Sequence, residues 1–86
     1  MKLLSIEKAE NTFIGYVEDG PDYKSFTVRE DGVVIFDQTF PKKRFKNYEH
    51  FAGVMGKFDP YAFFFEKPIE IERLDYSELS KLKEVK

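Results

Sequence analysis

The sequence predicts an α+β fold, a mainly antiparallel sheet with two helices packed on it in the order ββββαβα. Three observations carry this. The first forty residues are β-branched and aromatic runs broken by turn residues. Two later segments, behind Asn47 and behind Asp75, carry apolar side chains at helical spacing. A chain of 86 residues has apolar material for one core, so residues 1–86 form a single domain.

The elements follow in order. Leu4 and Ile6 alternate with polar neighbours in a first strand, and Asn11 turns the chain. Thr12–Glu18 is a second strand, rich in aromatic and β-branched residues. Gly15 inside it signals a bulge or a close approach of another backbone. Asp19-Gly20-Pro21-Asp22 is a turn, since Gly permits positive φ and Pro cannot continue a central strand.

Strands Tyr23–Arg29 and Val33–Phe40 then flank Glu30-Asp31-Gly32. A two-residue Asp31-Gly32 loop would set Phe26 opposite Asp37. A three-residue loop with Gly32 in the left-handed region pairs Arg29 with Val33. It sets Val28 opposite Val34 and Phe26 opposite Phe36, all four on one buried face, with Thr27 and Ile35 on the other. The second register gathers the apolar side chains and is the expected one.

Pro41 stops the sheet, and Lys42–Lys46 reads as a basic loop. Asn47 caps a helix whose core stripe is Tyr48, Phe51, Met55 and Phe58, with Val54 alongside. Gly53 and Gly56 weaken this helix by about 1 kcal/mol each relative to Ala. Their spacing suggests a close approach to the sheet. Asp59-Pro60 ends the helix. Tyr61–Phe65 has the character of a central strand covered on both faces, interrupted by Glu66-Lys67-Pro68. Ile69–Arg73 then alternates, with the isoleucines inward. Asp75-Tyr76-Ser77-Glu78 has the form of a capping box for a last helix. That helix presents Tyr76, Leu79, Leu82 and Val85, with Lys81, Lys83 and Lys86 near its negative end.

Composition narrows the chemistry. The absence of cysteine excludes disulfides, thiolate metal sites and cysteine nucleophiles. No apolar run approaches the roughly 18–20 residues that span a bilayer. With an early charge after Met1, the expected location is the cytoplasm, of the cell or of an infected host. The net charge of −2, from 14 basic and 16 acidic residues, argues against a general nucleic-acid coat. Ten Phe and five Tyr supply much of the apolar volume, which a small domain uses to fill a core with few residues.

No constellation for catalysis is present. His50, the only histidine, has no second ligand or partner acid at a useful spacing and reads as a surface or capping residue. The acidic turn Glu18–Asp22 lacks the spacing of a calcium loop. Glu70 and Glu72 read as the solvent face of a strand. No cofactor and no metal is expected.

The segment with the strongest functional signal is Lys42, Lys43, Arg44, Phe45, Lys46 and Tyr48, in which cations surround a ring. Cations meet phosphates or an acidic protein surface, and rings stack on unpaired bases. The expectation is a small non-catalytic binding or regulatory protein. It would act through protein–protein contacts, either self-association or inhibition or bridging of a host or partner protein. The alternative is a nucleic-acid-binding module using Lys42–Lys46.

Overall fold

The computed structural model describes the backbone of residues 1–84 and the side chains of residues 1–82. Val85 and the Lys83 and Lys86 side chains therefore lie outside the described residues. Among the described residues, five strands and two helices follow the predicted order. They are β1 (Lys2–Ala9), β2 (Thr12–Asp19), β3 (Asp22–Arg29), β4 (Val34–Pro41), α1 (Tyr48–Phe58), β5 (Phe64–Glu70) and α2 (Tyr76–Glu84). The sheet order is β4-β3-β2-β1-β5, and every neighbouring pair is antiparallel. Thus β1–β4 form a meander, α1 carries the chain across the sheet, and β5 adds beside β1.

Alternation along the strands divides the core in two. Phe13 and Val17 of β2, with Leu3 and Ile6 of β1 and Phe26 and Val28 of β3, meet Leu74 and Leu79 from the α2 region. Leu4 and Tyr23 meet Phe51 and Met55 of α1, joined by Tyr16, Phe40, Phe45 and Phe64. Each helix therefore covers its own face of the sheet. Leu3 and Leu4 serve opposite cores by simple alternation, and a bulge at Leu4 lets Leu3 and Ile6, three residues apart, share one face: Leu3 lies opposite Val17, but Ser5 lies opposite Tyr16. The bulge explains Gly15. A Cβ at that position would sit 2.0 Å from the Ser5 carbonyl oxygen, so the close approach predicted from sequence is real.

The β3–β4 hairpin adopts the three-residue loop. Val28 faces Val34, Thr27 faces Ile35, and Phe26 faces Phe36. Gly32 has φ +95°, and its N–H donates to the Arg29 carbonyl at 2.9 Å. Both helix caps also form. The Asn47 side chain accepts from the His50 N–H at 2.9 Å, and Asp75 Oδ1 accepts from the Ser77 N–H at 2.8 Å.

Several burial expectations are overturned. Phe36 was expected in the core with Phe26, yet it is 44% exposed. It stands on β4, the edge strand, beyond the area that α2 covers. Tyr61–Phe65 does not form a central strand. Only Phe64 and Phe65 enter β5, which lies at the opposite edge. Residues 59–62 turn instead, with the Asp59 carboxylate accepting from the Tyr61 N–H and the Asp59 carbonyl from the Ala62 N–H.

Pro68 stands inside β5, where the edge position leaves its missing N–H without consequence. The ladder breaks around it: Ser5 pairs with Phe64 and Leu3 with Ile69, so two steps of β1 span five of β5. The strand ends at Glu70, earlier than the expected Arg73. Phe58, the last residue of α1, projects into solvent instead of completing the helix stripe. Gly53 and Gly56 do not face the sheet, since a Cβ on either would meet nothing within 4 Å. The basic segment is partly ordered as a single 3-10 turn over Lys42–Arg44.

Candidate interaction surface

The predicted binding segment separates into an inward and an outward half. Lys42 points back over its own sheet. Its Nζ pairs with Glu18 at 3.0 Å and donates to the Gly20 carbonyl at 3.1 Å. Its ammonium also lies 5.9 Å from the Tyr23 ring centre. Lys42 thus ties the β2–β3 turn to the end of β4. Phe45 packs edge-on against Phe51, with ring centres 5.0 Å apart, and also meets Tyr23.

The Tyr48 hydroxyl reaches between two strands. It donates to the Phe65 carbonyl, with the Leu4 carbonyl 3.2 Å away. Burial, with a smaller effect from Tyr23, pushes the Tyr48 phenol up to about 12. His50 is local: its Nδ1 accepts from the Lys46 N–H at 3.1 Å, closing the loop before α1. Lys43, Arg44 and Lys46 remain outward. None has a carboxylate within ion-pair distance among the described residues.

The structure also exposes an apolar surface that sequence reasoning assigned to the core. Phe58 is 80% exposed, Tyr61 83% and Phe63 68%. On β4, Phe36 is exposed as well, and so are Ile35, expected on the other face, and Val33 just before the strand. The sequence signal for the first group was Asp59-Pro60: a turn-forming pair amid aromatic residues leaves Phe58 at the last position of α1 and Tyr61 and Phe63 outside regular structure. The signal for the second was absent, because an edge strand and a central one share the same alternation.

Helix α1 covers only the end of its face occupied by Leu4, Tyr23 and Phe40. Beyond it, a groove of about 180 Å³ opens between the 59–62 turn and the sheet, lined by Ile14, Tyr16, Thr27, Glu7, Asp37 and Asp59. Burial, with a smaller contribution from Asp59, raises the Tyr16 phenol above its ordinary range. Thr27 donates to the Asp37 carboxylate at 3.2 Å. Among the described residues, no three His, Asp or Glu side chains gather as a metal site. No described helix is long and apolar enough to cross a membrane. No known protein family matches the chain, and neither a curated protein nor a solved structure is significantly similar to it.

Proposed function

We propose that this chain is a non-catalytic binding protein that works through protein–protein contacts. One observation carries the reading: Phe58, Tyr61 and Phe63 stand in solvent within six residues. Three large rings left in solvent so close along the chain leave apolar area uncovered, and rings are enriched at the centres of protein interfaces. The groove under the 59–62 turn adds a mixed lining, in which Ile14 and Tyr16 stand with Thr27 and the carboxylates of Glu7, Asp37 and Asp59.

Nucleic-acid binding has less support. Phe45 and Tyr48, the rings that would stack on bases, are engaged in packing and hydrogen bonding. Lys43, Arg44 and Lys46 alone would supply only phosphate contacts.

A photo-reactive phenylalanine analogue at Tyr61, introduced in the native cell, tests the proposal. Irradiation is expected to give a discrete protein adduct that disappears in a Phe58→Ser/Phe63→Ser background. Adducts no different from those of the same probe at Glu72, or adducts to nucleic acid only, would overturn it.

A further inference from the structure

We infer that the protein partner includes a second copy of this chain, joined edge to edge through antiparallel pairing of β4 with β4. This rests on the protein-contact reading and names its partner. The sheet has two edges, and they differ. The β5 edge carries Glu66, Lys67 and Pro68, charge and a missing donor that block strand addition. The β4 edge opens with Val34-Ile35-Phe36, preceded by Val33, and these carry neither charge nor proline; its own Asp37 and Pro41 lie at mid-strand and at the far end. The Val33 carbonyl accepts from the Arg29 N–H at 2.8 Å. The alternation of an antiparallel ladder then turns the N–H and C=O of Val34 and Phe36 away from β3, toward solvent. Ile35 and Phe36 are exposed on opposite faces of this free edge.

Charge selects both the partner and the direction. The hairpin tip before β4 carries Glu30 and Asp31, Asp31 being paired with Arg29 of its own hairpin at 2.7 Å so that, among the described residues, Glu30 supplies the free charge, and the turn after β4 carries Lys43 and Arg44. Two copies related by a two-fold axis run antiparallel. Each acidic tip then lies beside the other copy's basic turn, twice in one interface. Parallel pairing would set acid against acid and base against base. Asp37, near the middle of β4, is the extra residue of a bulge and is turned onto Thr27 of its own sheet. That bond draws its charge toward β3 and away from the open edge. The outward cations, expected from sequence to meet phosphates or an acidic protein surface, acquire a role as the complement of the hairpin tip.

Sedimentation equilibrium over a concentration series, at low and at high salt, reads the association. A dimer is expected that weakens as salt rises. Lys43→Glu/Arg44→Glu is expected to weaken it about tenfold or more, and Glu30→Lys in that background is expected to restore part of the loss. Amide exchange at Val34 and Phe36 is expected to slow as concentration rises. A single chain at every concentration up to about 1 mM would overturn the inference. So would a dimer indifferent to the charge reversal, or one whose Val34 and Phe36 amides exchange as fast as in the monomer. A chain that stays monomeric yet cross-links another protein through Tyr61 would remove the self-pairing and leave the broader proposal standing.

Discussion

Gly15 and Gly53 occupy similar places in the sequence pattern, each inside a regular element, and the structure gives them opposite meanings. At Gly15 the bulge of β1 drives the Ser5 carbonyl into the space where a side chain would begin, 2.0 Å from an ideal Cβ. The obstacle is backbone on a buried strand pair and cannot swing aside. Gly15→Ala is therefore expected to cost about 3 kcal/mol, near the upper end for overpacked sites. At Gly53 nothing lies within 4 Å, and the residue sits mid-helix in α1. Gly53→Ala is expected to stabilise the chain by about 0.4–1 kcal/mol, by reducing the freedom of the unfolded chain. Denaturant titration of both variants checks the pair. Equal effects at the two sites would show that the bulge does not crowd Gly15.

At the level of elements, Phe26 and Phe36 separate pairing from burial. They face each other across β3 and β4. Phe26 is 1% exposed, while Phe36 lies partly in solvent with Lys24 Nζ 5.1 Å from its ring centre. Phe26→Ala is expected to cost about 3–5 kcal/mol, and Phe36→Ala only about 1–2. Thermal melts of the two variants measure the difference, and equal losses would place Phe36 in the monomer's core after all.

The hairpin register was legible because a one-residue slip would have separated the apolar side chains, and Gly32 marked the loop. The two caps were legible because Asn47 and Asp75 carry the acceptor that a helix start requires. What alternation does not encode is rank within the sheet. The Tyr61–Phe65 run looks central, yet β5 is an edge strand, because placement beside β1 depends on how far α1 carries the chain. Residue types likewise could not show which rings of the basic segment turn inward. Phe45 and Tyr48 have the composition of a binding face and the contacts of a core.

The whole molecule is a thin sheet with a different helix and a different aromatic cluster on each side. Tyr48 is where α1 is fixed to both strands at the β1–β5 edge, through a hydroxyl proton shared near the Leu4 and Phe65 carbonyls. That proton makes the anchorage sensitive to alkali. The phenol is raised to about 12 in the folded chain, chiefly by burial, against about 10 when unfolded. The folded state therefore favours the protonated form. Its contribution is complete below pH 10, and between 10 and 12 the unfolded chain releases the proton that the folded chain retains. Stability must fall through that window. Tyr16 and Tyr23, both raised first by burial, act in the same direction. The melting temperature is expected to be insensitive to these groups near pH 8–9 and to decline steadily above 10. Tyr48→Phe is expected to melt lower at neutral pH, by about 1 kcal/mol of lost hydrogen bonding, and to decline less steeply in alkali. Melts of the two proteins from pH 8 to 12, with phenolate absorbance followed in parallel, decide the matter. Identical alkaline slopes would mean that Tyr48 ionises in the folded chain as readily as in the unfolded one, and that its hydroxyl does not hold α1 to the sheet edge.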